Sequence, residues 1–152
     1  MFNKSTLSKT PSQTKVLGKD LAKEILETKT KNKAFVLWLK GDLGGGKTTF
    51  LQGLAKGLEV KEKITSPTFV IIKRFPLSGY CFKNFFHIDC YRVNNEKEII
   101  DLGLKDIIGN PKNIVAIEWA DKIEKLLPKN TLTLNFDFIN RTTRKIKRKW
   151  KK

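Results

Sequence analysis

Residues 41–48 read Gly-Asp-Leu-Gly-Gly-Gly-Lys-Thr and fit the pattern G-x-x-x-x-G-K-[ST]. No other stretch narrows the fold as far, because this loop has meaning only between a buried strand and a helix N-terminus. Both flanks are present. Ala34-Phe-Val-Leu-Trp-Leu39 is an apolar run of strand length. From Thr49 to Leu58 the apolar residues Phe50, Leu51, Leu54, Ala55 and Leu58 recur at helical spacing.

The residue types suit a polyphosphate, which packs several negative charges into a small volume. Gly44, Gly45 and Gly46 let the backbone wrap closely and turn its N–H groups inward. The helix start at Lys47, Thr48 and Thr49 adds unpaired N–H groups and a partial positive charge. Lys47 has the reach for β- and γ-phosphates, and the Thr48 hydroxyl can ligate Mg²⁺. The alternative, a glycine-rich turn that only joins strand to helix, leaves the lysine and threonine in this register without a purpose.

The chain has 152 residues, enough for one domain with a full core, so residues 1–152 are expected to form a single domain. Cys81 and Cys90 make no metal or redox motif and read as small apolar residues of a reducing compartment, with a disulfide as the other option. No apolar run approaches the roughly 20 residues of a membrane span, and Met1 to Thr6 has no signal-peptide core. A cytoplasmic protein without membrane contact is expected. The net charge of +16 suggests an acidic partner such as nucleic acid. Eight of those charges fall in residues 141–152, with no acid among them. That basic end is either an RNA-contacting tail or a solvated charged end.

Periodicity lays out an α/β chain. Val16, Leu17, Leu21, Ala22, Ile25 and Leu26 form one face of a helix, with Ser12 or Thr14 as its cap and residues 1–15 otherwise polar. Gly57 ends the loop-borne helix. Val70 to Ile72 and Phe82 to Tyr91 read as strands joined by a turn at Leu77 to Tyr80, hence antiparallel. Asn94 to Leu104 reads as a helix with Ile99, Ile100 and Leu102 inward. Asn113 to Trp119 is a buried strand, followed by a short helix that Pro128 stops. In Thr131 to Ile139, Leu132, Leu134, Phe136 and Phe138 share one face, and Asn140-Arg141 turns into a final strand through Ile146. The expected architecture is a three-layer fold of the P-loop NTPase type, with a sheet of mixed parallel and antiparallel strands.

Three further segments bear on phosphate chemistry. In Ile114-Val-Ala-Ile-Glu-Trp119 a buried strand ends in an acid, the Walker B pattern. Glu118 can serve Mg²⁺ or position an attacking water; otherwise it is an ordinary acid at a strand end. In His87-Ile-Asp-Cys-Tyr-Arg92, alternation places His87, Asp89 and Tyr91 on one face. Asp89 stands either near Mg²⁺ or in a structural network with Arg92 or His87. Ser66-Pro-Thr-Phe69 lies where P-loop proteins place a switch, and Ser66 or Thr68 offers a hydroxyl; the plain reading is a turn into a strand.

Taken in order, Gly41-Asp-Leu-Gly-Gly-Gly-Lys-Thr-Thr49, Ser66-Pro-Thr-Phe69, His87-Ile-Asp-Cys-Tyr-Arg92, Asp101-Leu-Gly-Leu104 and Ile117-Glu-Trp119 resemble the bacterial TsaE family, also called YjeE, over about residues 11 to 139. Asp101 stands where that family usually has glutamate. The resemblance implies a nucleotide-binding ATPase that hydrolyses ATP with Mg²⁺ and supports tRNA threonylcarbamoyladenosine modification. It would do so through a TsaD-like transferase and its TsaB-like partner, meeting tRNA indirectly or through the basic end. It also implies roles: Lys47 and Thr48 on phosphates and Mg²⁺, Glu118 on Mg²⁺ or water with Asp89 assisting, Thr14 near the adenine, and Trp119 at the site edge or partner surface. Two other classes fit parts of the sequence. A P-loop small-molecule kinase would need an acceptor pocket and a lid, for which Arg141 and Arg144 are candidates. A nucleic-acid-binding regulator would rest on the basic end alone.

Overall fold

A computed structural model describes residues 2–42, 44–65, 71–79 and 81–152. The chain forms β1 (Ser5–Ser8), α1 (Pro11–Glu27), β2 (Phe35–Lys40), α2 (Lys47–Gly57), β3 (Ile72–Pro76), β4 (Asn84–Asp89), α3 (Glu96–Asp101), α4 (Leu104–Gly109), β5 (Asn113–Glu118), a 3₁₀ helix (Ala120–Leu126), β6 (Leu132–Phe138) and β7 (Arg144–Trp150). The strands are hydrogen-bonded in the order β1-β7-β6-β2-β5-β4-β3. β4 and β5 are parallel, whereas β3–β4 and β1–β7 are antiparallel. The fold is thus α/β with the mixed sheet that the sequence pattern implies.

Two compact units make up the chain: Met1–Thr28, Leu39–Ser66 and Thr133–Lys149 in one, Lys29–Trp38, Pro67–Leu132 and Trp150–Lys152 in the other. In the first, α1 starts one turn earlier than its apolar face suggests. Pro11 occupies the first helical position, which lacks an intrahelical N–H partner in any case, so Thr10 becomes the cap in place of Ser12 or Thr14. Its Oγ1 accepts from Gln13 N at 3.1 Å, and Gln13 Oε1 accepts from Lys9 N at 2.7 Å, a variant of the capping box. α1 and α2 cross at glycines: a Cβ on Gly18 would lie 2.3 Å from the Phe50 carbonyl oxygen, and one on Gly53 2.1 Å from that of Lys15. The backbones therefore approach as closely as backbones can, while Leu21, Ile25, Phe50, Leu51 and Leu54 are buried around them. Burial of each such side chain is worth about 1.5–3 kcal/mol.

The same unit takes in both polar ends. β1 lies within the polar stretch 1–15, paired in register Ser5↔Lys147 to Ser8↔Arg144. The final strand expected through Ile146 runs on to Trp150. Arg148 donates to the Phe2 carbonyl and to Glu24 Oε2, both at 2.9 Å, and its guanidinium stacks on the Phe2 ring at 5.3 Å. Lys147 pairs with Asp137 at 2.7 Å. Along β6, Leu132, Leu134 and Phe136 are buried as the alternation requires, but Phe138 lies beyond the core at 63% exposure.

In the second unit β4 and β5 carry apolar runs buried on both faces, as expected of parallel strands. The antiparallel hairpin forms as the short loop implies, although its strands run Ile72–Pro76 and Asn84–Asp89. The helix expected over Asn94 to Leu104 is two helices, because Gly103 at φ +97° breaks the run. Asn95 caps the first by accepting from Glu98 N at 3.2 Å. Leu102, expected inside, is 52% exposed, while Ile99, Leu104 and Ile108 are buried. Cys81 is exposed and Cys90 buried, and both are free thiols. Among the described residues no helix is long and apolar enough to cross a membrane.

Candidate nucleotide site

In the first unit the loop between β2 and α2 is shaped by backbone conformations that only glycine takes without strain. Gly41, Gly44 and Gly46 have φ of +152°, +76° and +92°. A Cβ on Gly41 would lie 2.8 Å from the Phe136 carbonyl oxygen, whereas one on Gly44 would meet nothing within 4 Å. The Gly45 N–H donates to Asp42 O at 3.0 Å, closing the turn. Gly46 is the N-cap of α2, and among the described residues no side chain caps that helix. Its first-turn N–H groups and partial positive charge are therefore presented by backbone alone. Lys47 opens the helix at 5% exposure, its Nζ donating to the Gly41 carbonyl at 2.5 Å. Thr48 and Thr49 follow, both half-buried. A buried lysine folded onto its own loop, with glycines turned around it, fits a polyphosphate.

Thr14 lies beside this loop through its methyl, 3.9 Å from where a Cβ on Gly46 would stand. Its hydroxyl is already engaged, 2.6 Å from Ser8 Oγ and donating to Thr10 O at 3.3 Å. Arg144 is read in the sequence as part of a kinase lid or of the basic end. It is the first residue of β7, and its Nη2 donates to the Gly44 carbonyl at 2.9 Å. Nothing in the local spacing signals this, since the two residues are brought together only by the return of β7.

In the second unit β4 and β5 end side by side with Asp89 opposite Glu118 in the parallel register. Glu118 is 3% exposed and its Oε2 lies 2.8 Å from His87 Nε2, itself 2% exposed. A buried carboxylate is costly unless paired, and His87 is its partner. The sequence reading did not pair His87 with Glu118, because the two are 31 residues apart. Asp89 Oδ1 accepts from Tyr91 N at 2.9 Å, turning the chain out of β4. Burial, with the Asp89 charge adding to it, pushes the neighbouring Cys90 thiol up to about 12. Trp119 follows Glu118 at φ 56° and ψ 41°, a left-handed conformation that is uncommon for a bulky residue and clusters at functional positions. Its ring meets Tyr91 edge-on at 5.1 Å. The expected switch residues Ser66 and Thr68 lie outside the described residues.

A glycine-rich turn leading into a helix at a buried lysine, on a mixed α/β sheet, defines the class: a fold of the P-loop NTPase type. Within that class, the family described as threonylcarbamoyl adenosine biosynthesis protein TsaE matches residues 8–146, and the chain belongs to it. The tRNA threonylcarbamoyladenosine biosynthesis protein TsaE of Haemophilus influenzae is 33% identical over 80% of this chain and 73% of its own length. The protein of the same name from Bacillus subtilis is 41% identical over 65% of this chain, a match spanning 59% of its own length. The crystal structure of Bacillus subtilis YdiB superposes with a TM-score of 0.68 at 30% identity, covering 95% of this chain and 82% of that one.

Proposed function

We propose that this chain is an ATPase of tRNA threonylcarbamoyladenosine biosynthesis, binding and hydrolysing ATP with Mg²⁺ in support of a TsaD-like and TsaB-like pair. The observation that carries the reading is the conformation of Gly41, Gly44 and Gly46, positive-φ glycines around the buried Lys47, whose Nζ rests on the Gly41 carbonyl. That bond is one a phosphate oxygen can replace. Charge-assisted bonds are the stronger kind, so Lys47 exchanges a neutral carbonyl for an anionic acceptor when nucleotide enters. The N–H groups of Gly44 to Thr49 hold the remaining phosphate oxygens. Thr48 would offer its hydroxyl to Mg²⁺, which when bound would supply charge neutralisation to the phosphates. Among the described residues no three His, Cys, Asp or Glu side chains gather into a metal group, so the ion would arrive with the nucleotide.

By the family relationship Glu118 would serve Mg²⁺ or the attacking water, with Asp89 assisting; within its own unit the Glu118 carboxyl is held by His87. Ser66 and Thr68 respond to the γ-phosphate, and Trp119 with Tyr91 faces the partner proteins. The family relationship supports these roles. The test is a pair of variants. Lys47→Ala should weaken ADP and ATP binding at least tenfold, about 1.4 kcal/mol. Glu118→Ala should abolish hydrolysis while retaining much of the nucleotide affinity, because the backbone donors remain. Unchanged affinity in Lys47→Ala by calorimetry refutes the site. Full turnover by Glu118→Ala with both partners present refutes the role of the acid.

A further inference from the structure

The cations of this chain are not all engaged alike. In β7, Lys147 pairs with Asp137 at 2.7 Å and Arg148 with Glu24 at 2.9 Å. A second group lines a groove of about 530 Å³ beside the contact of α1 with α2. α1 supplies Lys15 and Lys19, α2 supplies Lys56, and the segment leaving α2 supplies Lys61 and Lys63. Gly53 packs on the Lys15 backbone and Gly57 on that of Lys19, which brings both lysines up against α2. Lys15, Lys56, Lys61 and Lys63 are exposed, and Lys19 is half-buried. Ala55 and Ile64 also line the groove and are buried, so cations form its rim and apolar groups its floor. Among the described residues Glu62 is the one acid in the lining.

Lysines four residues apart on one helix repel each other, as Lys15 and Lys19 do. Three more cations reach the same groove from other positions in the sequence, and one acid does not balance them. A polyanion relieves that repulsion, and its own charge is neutralised in return. The residue types narrow the polyanion further. Lysine heads are point charges on flexible stems and suit phosphates strung along a backbone. Among the described residues no arginine and no aromatic ring lines the groove, so it has nothing with which to stack on a base or read its edge. The chemistry is that of sequence-independent backbone contact.

We propose that the lysine-rimmed groove beside α1 and α2 receives the phosphate backbone of tRNA. The inference rests on the tRNA reading above and does not require the ATP site. It places the RNA contact on Lys15, Lys19, Lys56, Lys61 and Lys63, not on the basic end, where Lys147 and Arg148 already hold acids of this chain.

The test uses the full chain and fluorescently labelled, unfractionated bacterial tRNA, with binding followed by anisotropy over a range of salt. Lys15→Gln, Lys19→Gln and Lys56→Gln combined should weaken binding by about tenfold or more. They should also flatten the slope of log affinity against log salt by about 2–3, because each phosphate contact carries about 0.7–0.9. Removing charges that repel should leave the melting temperature unchanged or raised, so lost binding is not lost fold. Arginine at the same three positions keeps the charge and should hold tRNA affinity within about twofold. Lys97→Gln, Lys105→Gln and Lys112→Gln combined are the control: exposed residues of the other unit, with the same loss of charge. Equal losses in the two glutamine sets would show that net charge alone attracts RNA, and would overturn the proposal. So would an unmodified chain that does not bind tRNA, or a groove variant that binds it fully. Full tRNA binding by the groove variant with loss of the TsaD-like and TsaB-like pair would assign the groove to an acidic protein surface instead. Lys47→Ala separates this inference from the ATP site: it should lose ADP and keep tRNA. Unchanged ADP affinity there refutes the ATP site alone, whereas loss of tRNA would place the RNA contact on the phosphate loop and overturn the groove.

Discussion

Gly53→Ala asks whether the contact between α1 and α2 is set by backbone or by side chains. The added Cβ would stand 2.1 Å from the Lys15 carbonyl oxygen and 2.7 Å from its Cα and carbonyl carbon. Ordinary contact begins at 3.4 Å, so the helices must part by roughly 1.3 Å at this point. The atoms in the way belong to a helical backbone and cannot swing aside as a side chain would. Overpacking of this kind costs about 1–3 kcal/mol, and the rigid neighbours place it at the upper end. Alanine is the better helix former by about 1 kcal/mol, which offsets part of the loss. The net expectation is destabilisation by about 2 kcal/mol. In a chain of this size that lowers the melting temperature by about 4–8 °C. Gly109→Ala is the control, because a Cβ there meets nothing within 4 Å. It should be neutral or stabilising by up to about 1 kcal/mol. Thermal unfolding followed by circular dichroism reads both variants. A melting temperature unchanged or raised in Gly53→Ala would refute the close-approach argument.

Other consequences are open to direct measurement. His87→Ala strips Glu118 of its buried partner and should cost about 1–3 kcal/mol in chemical denaturation, with part of it recovered in His87→Gln; equal stability of all three forms would show the pair to be dispensable. The folded state holds the Cys90 thiol protonated up to about pH 12, against 9.0 ordinarily, so above about pH 9 the unfolded chain releases a proton that the folded chain retains. Stability should therefore fall as pH rises from about 9 to 12, and Cys90→Ala should flatten that fall; an identical slope would contradict it. Near neutral pH iodoacetamide should label the exposed Cys81 in the native protein and reach Cys90 only on unfolding, as read by mass spectrometry.

The phosphate loop was legible because its chemistry is written in consecutive residues: glycines, lysine and threonine at fixed spacing between a strand and a helix. β5 was legible for a related reason, since an apolar run ending in an acid needs no distant partner to be recognised. What the sequence concealed depends on contacts between remote segments. Ser5 to Ser8 is short and mostly exposed, and becomes a strand only because β7 pairs with it. His87 looked incidental until the parallel register of β4 and β5 set it diagonal to Glu118. Phe138 continued the apolar alternation perfectly, yet the turn that follows carries it beyond the core. The final strand was legible only as far as Ile146, because the adjacent lysines and arginines from 144 to 149 show no alternation of polar and apolar residues. Its partners Glu24, Phe2 and Asp137 are invisible to any local window.

The pairing of β1 with β7 has a bearing on how the protein is born. The ribosome delivers β1 and the phosphate loop early, but the strand that completes their unit lies at the opposite end of the sequence from β1. Closing so long a loop is entropically slow and must wait until β7 has been made. Until β7 arrives, Arg144 is missing from Gly44 and β1 has no partner. The nascent chain thus carries the glycine-rich motif well before the strand that joins it is made, and the unpaired edge it shows in the interval is the kind that favours aggregation.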